Sequence, residues 1–76
     1  MEEKINAILN DVNEEIMSYS GPNMVADEIV DSFELIEIIS QLEDTFDIEV
    51  DAADVVEENF GNRDRILAYI TALLNS

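Results

Sequence analysis

The chain has 76 residues, 47% of them apolar, and its 19 Asp and Glu face only Lys4, Arg63 and Arg65, for a formal charge of -16. Such a surface repels nucleic acid and anionic lipid, and suits partners with Lys/Arg patches that approach by electrostatic steering. With no cysteine and no histidine, disulfides, thiolate metal sites and the common nucleophile–base pairs are excluded, so apolar packing must hold the chain together and no enzyme is expected.

A chain this short makes one domain, expected over residues 1–76, and buries only about 60% of the surface its unfolded form exposes. Met1-Glu2-Glu3-Lys4 is acidic and runs into polar, periodic sequence, unlike a secretory signal. No apolar run approaches the ~18 residues of a membrane span. A cytoplasmic protein without membrane insertion is the expectation.

From Glu2 to Tyr19, the apolar residues Ile5, Ile8, Leu9, Val12 and Ile16 recur every third or fourth position. That spacing predicts one amphipathic helix. Ser20-Gly21-Pro22-Asn23 ends it, with Gly21 as the C-cap and Pro22 unable to continue. Met24 to Val30 carries Met24, Val25, Ile29 and Val30, and so reads as a connector packed over the core. Asp31 then caps a second helix, with Glu34 three residues on in a capping-box pattern. Leu35, Ile38, Ile39, Leu42 and Phe46 form its core stripe.

Phe46 to Val50 alternates apolar and acidic residues but has no second strand to pair with. An extended connector burying Ile48 and Val50 is the better reading. Asp51 caps a short third helix through Glu58, and Phe60-Gly61-Asn62 forms a turn. Asn62 caps the fourth helix, whose apolar residues are Ile66, Tyr69, Ile70, Leu73 and Leu74. The expected fold is all-α, a small four-helix bundle with a short third helix.

Ser32 draws attention within this frame. Serine is common at helix starts, and alone it would signify nothing more. In the first turn, however, its hydroxyl lies near unpaired backbone N–H groups, where an attached anion is stabilised. At about 100° per residue, Phe33 and Ile36 fall opposite the core stripe, beside Glu37, Ser40, Glu43 and Asp44. An exposed apolar strip with an acidic rim suits a partner offering an apolar pocket ringed by Lys and Arg.

Asp47, Glu49, Asp51 and Glu58 match the first, third, fifth and twelfth positions of an EF-hand calcium loop. The sixth position, where that loop turns sharply on glycine, is Ala52. No specific metal site is expected.

Ile29-Val30-Asp31-Ser32-Phe33-Glu34-Leu35-Ile36-Glu37, followed by Leu42-Glu43-Asp44-Thr45-Phe46-Asp47-Ile48-Glu49-Val50, resembles the acyl carrier protein family. The likeness covers roughly Ile29 to Leu74, and the amphipathic first helix is in keeping with it. The resemblance implies that Ser32 carries 4'-phosphopantetheine, transferred from coenzyme A by a separate phosphopantetheinyl transferase, with Asp31 assisting recognition. The thiol of that arm would hold cargo as a thioester; the sequence leaves open whether a cavity between the second and third helices shelters it. Phe33, Ile36, Glu37, Ser40, Glu43 and Asp44 would meet partner enzymes, among them an acyl- or aminoacyl-loading ligase or transferase; the carrier itself would be a monomer. Phe33 departs from the family's usual Leu, and Asn59-Phe60-Gly61 resembles the linker of D-alanyl and peptidyl carriers, although the Trp common there is Phe60 here. These features point away from a housekeeping fatty-acid role. The alternative is an unmodified acidic helical adaptor, in which Ser32 would be dispensable.

Overall fold

The computed structural model describes residues 1–75, and in it the apolar periodicity closes into four α-helices. These are α1 (Glu2–Val12), α2 (Ser32–Phe46), α3 (Glu57–Phe60) and α4 (Arg63–Leu74), with no strand among the described residues. Ile5 and Leu9 from α1, Ile38 and Leu42 from α2, and Ile66 and Ile70 from α4 are completely buried. They meet Ile16, Met24 and Phe60 in one core. The all-α expectation holds, and α1 packs against both α2 and α4 while α3 rests on α4. The Cα radius of gyration is 11.1 Å, close to the ~11 Å of a folded chain of this length. No helix among the described residues is long and apolar enough to cross a membrane.

The first helix is shorter than its stripe predicts. It ends at Val12, Asn13 is extended (φ -161°, ψ 107°), and Glu14–Ser18 forms a separate 3-10 turn. The Asn13 side chain accepts from the Glu15 N–H at 3.0 Å, so this residue restarts the helix rather than continuing it. Asparagine competes for backbone N–H groups in this way, and an apolar spacing alone does not reveal the break. Ile16 stays fully buried across it.

Gly21 is not a left-handed C-cap, since no glycine has positive φ. The 3-10 turn is instead capped by extended Tyr19. What Gly21 supplies is space, because a Cβ there would meet the Tyr19 phenol.

The predicted third helix is divided. Asp51 caps a 3-10 turn, Ala52–Asp54, by accepting from the Ala53 N–H at 2.9 Å. The chain then leaves helical geometry at Val55 and Val56 and re-enters it for α3, which takes in Phe60. Two β-branched residues in succession disfavour helix, and here they interrupt it.

The connectors behave as their apolar residues require. Met24 is fully buried and Val30 nearly so, while Ile48 and Val50 are half-buried. The Met24 N–H donates to the Gly61 carbonyl at 2.8 Å, tying the long connector to the junction of α3 and α4. Asn62 caps α4, accepting from the Arg65 N–H at 3.0 Å. Arg63 donates to Glu2 and Asn6 and thereby joins α4 to α1.

Tyr69 of α4 holds the divided segment down. Its O–H donates to Asp54 at 2.8 Å, and its ring packs tilted on Phe60 with centroids 5.3 Å apart. Desolvation, then the hydrogen bond to Asp54, then the charges of Asp54 and Asp51 push its pKa from 10.0 up to about 12. The folded chain therefore keeps this proton more tightly than the unfolded chain does. That contribution to stability is complete below pH 10 and is lost as pH rises toward 12. Tyr19, raised mainly by desolvation and by its bond to Asp27, acts with the same sign. Thermal melts across this alkaline range should show Tyr69→Phe losing stability less steeply than the native chain; equal slopes would count against the Tyr69–Asp54 tie.

Candidate functional site

The start of α2 is built by a reciprocal capping box. Asp31 is extended (φ -99°, ψ 179°) and its Oδ1 accepts from the Glu34 N–H at 2.8 Å. Glu34 Oε1 accepts in return from the Asp31 N–H at 3.2 Å. The Asp31 carbonyl accepts the first helical bond, from the Leu35 N–H at 3.1 Å. Ser32 thus becomes the first helical residue, and it is exposed. The box satisfies the Glu34 N–H and leaves those of Ser32 and Phe33 without intrahelical partners. An anion attached to the Ser32 oxygen would find these donors and the positive end of α2 beside it.

Two depressions adjoin this serine. One, of about 410 Å³, is lined by Val25, Glu28, Ile29, Val30, Asp31, Ser32 and Glu34. The other, of about 190 Å³, lies where the long connector, α2 and the start of α3 meet, and is lined by Asn23, Val25, Leu35, Val55, Val56, Glu57 and Phe60. Val25 lines both, which places the second, more apolar groove next to the one that Ser32 lines. Sequence periodicity does not reveal this groove, because its walls come from three separate segments. The Val55-Val56 pair was its only local signal.

The strip on the opposite face of α2 is present. Phe33 is 83% exposed and Ile36 62%, the highest values among the exposed large hydrophobics. Glu37, Ser40 and Asp44 are exposed beside them. Glu43 differs: it is half-buried, and its Oε2 accepts from the Val50 N–H at 2.8 Å. This carboxylate therefore also fixes the connector after α2. The four acids of the calcium loop are not assembled, as no group of three or more His, Cys, Asp or Glu among the described residues could hold a metal ion.

An exposed serine, helix-start donors and a depression beside them fit a phosphodiester-linked arm. Residues 25–60 match the family model of the phosphopantetheine attachment site. No curated protein and no solved structure matches the chain. The matched span contains Ser32, all of α2 and every residue lining the two depressions except Asn23. This stretch of the chain is accordingly similar to a phosphopantetheine attachment site, consistent with the acyl carrier protein family, whose carrier domains are non-catalytic and take 4'-phosphopantetheine covalently.

Proposed function

We propose that Ser32 is the attachment point and that residues 1–76 act as a single carrier domain for acyl or aminoacyl groups. The observation that carries this is the exposure of Ser32 at the capped start of α2, within the matched span. Ser40 lies in the same span, but in the body of the helix, where backbone N–H groups are already bonded to carbonyls a turn earlier. On this reading Ser32 Oγ attacks the pyrophosphate of coenzyme A in a transferase's active site, loses its proton, and displaces adenosine 3',5'-bisphosphate. The attached arm supplies a thiol, which this cysteine-free chain lacks, and cargo is held there as a thioester.

Phe33 and Ile36 serve as apolar anchors for partner enzymes, with Glu37, Ser40 and Asp44 around them and Glu43 contributing its outer edge. Asp31 adds to transferase recognition while capping the helix. Against a charge of -16, partners with basic rims are favoured and their association weakens as salt rises. The groove beside Val55 and Phe60, of about 190 Å³, offers an apolar surface on which cargo can rest.

Incubation with coenzyme A and a broad-specificity phosphopantetheinyl transferase should add the mass of one phosphopantetheine to the intact protein. Protein that is folded by circular dichroism yet gains nothing from several transferases would favour the unmodified adaptor.

A further inference from the structure

Asn13 terminates α1, yet its side chain is committed to the start of α2. Its Nδ2 donates to the Ile29 carbonyl at 2.8 Å and to Glu34 Oε2 at 3.4 Å, while its Oδ1 accepts from the Glu15 N–H. Glu34 uses its other oxygen to accept from the Asp31 N–H, and Asp31 closes the box on the Glu34 N–H. One amide thus grips the connector two residues before Asp31 and also the carboxylate that holds Asp31 itself. The connector reaches this point through Glu28 in the left-handed region (φ 63°), so its direction depends on what holds its end.

We propose that Asn13 is a positioning residue for the modification of Ser32. It fixes the backbone entry into α2, and with it the direction in which the serine oxygen is offered to the transferase. This rests on the reading of Ser32 as the attachment point. The break in α1 is what makes the arrangement possible: a helix continuing through residue 13 would carry its side chain along the helix surface, and would not leave the Oδ1 free to cap the turn that follows. Hydrogen bonds to a carboxylate are stronger than neutral ones, and the two that Asn13 donates are part-buried.

The distinguishing variant is Asn13→Asp. It keeps the shape and the acceptor for the Glu15 N–H, so the 3-10 turn stays capped. It replaces the donor with a carboxylate facing the Ile29 carbonyl and Glu34. In the loading reaction with coenzyme A and transferase, kcat should fall about tenfold, the scale of one lost bond to a charged group. KM should change little, because the docking strip on α2 is untouched. Asn13→Asp combined with Glu34→Gln restores a donor–acceptor pair with reversed polarity, since the new amide can donate to the new carboxylate while still accepting from the Asp31 N–H. That double variant restores the bond to residue 34 but not the one to the Ile29 carbonyl, so it should recover part of the lost kcat.

Unchanged kcat in Asn13→Asp, or a loss that follows melting temperature and is not recovered in the double variant, would overturn the proposal. Should Asn13→Asp not fold, Glu34→Gln alone carries the test, because a single amide acceptor then serves two donors; kcat equal to wild type there overturns the proposal as well. If the unmutated chain itself is not loaded at Ser32, the attachment reading fails. If it is loaded and the variants load equally fast, only the positioning role does.

Discussion

Ser32→Ala should abolish loading with phosphopantetheine while leaving the melting temperature close to that of the native chain. The loss is complete because alanine offers no oxygen to form the phosphodiester, and no neighbouring residue in the first turn supplies one. The fold should be indifferent for three reasons. Ser32 is exposed, the cap is provided by the Asp31 side chain rather than by the serine, and alanine is the best helix former. Ser40→Ala, on the same helix and also exposed, should load normally. Intact mass and thermal melts on the two variants read out both halves. Loading that survives Ser32→Ala would place the attachment elsewhere.

Gly61→Ala should be the most damaging small substitution in the chain. Gly61 is buried and has right-handed helical geometry (φ -69°, ψ -29°), so its backbone angles would accept alanine. Space is the obstacle. A Cβ would overlap the carbonyl oxygens of Pro22 and Glu57, and backbone yields less readily than the end of a side chain. These groups are also laced together: the Met24 N–H donates to the Gly61 carbonyl, Arg65 reaches both Pro22 and Glu57, and Asn62 holds the Gly21 carbonyl. Forcing the connector away from the α3–α4 junction should cost about 3 kcal/mol, the upper end of ordinary overpacking. A chain of this length has roughly 4–11 kcal/mol in total, and the loss corresponds to about 12–24 °C in Tm. A variant melting within about 4 °C of the native chain would show that the connector can shift freely.

These two positions differ in how far the sequence announces them. The capped start of α2 at Ser32 is legible because its signals are local: an N-cap acid before it and a glutamate three residues after the cap. The core was legible for the same reason, since Ile5, Leu9, Ile38, Leu42, Ile66 and Ile70 fall on helical spacing and are all fully buried. Gly61 was read only as part of a turn, because its constraint comes from Pro22, far away along the chain.

The misread elements share a physical cause. A 3-10 turn after a one-residue break still buries Ile16, so the stripe from Ile5 to Ile16 is compatible with either geometry. The side-chain bonds of Asn13 decide between them, and two of their three partners are distant in sequence, Ile29 near the end of the long connector and Glu34 beyond it. Val55 and Val56 interrupt the third helix and line the groove between segments, a double role that propensity only hints at. Residue type suggests a cap at Gly21, whereas the ring of Tyr19 is what requires it to lack a side chain. Helical angle and the family resemblance both put Glu43 on the outer face, yet its carboxylate reaches the connector that begins after α2.

The most direct test of the carrier assignment is to load the unmutated chain, digest it, and locate the added group by fragmentation mass spectrometry. The account predicts a single phosphopantetheine on the serine oxygen of Ser32, with Ser40 and Thr45 of the same helix unmodified. Phosphopantetheine found at either of those residues, or outside residues 25–60, would contradict it.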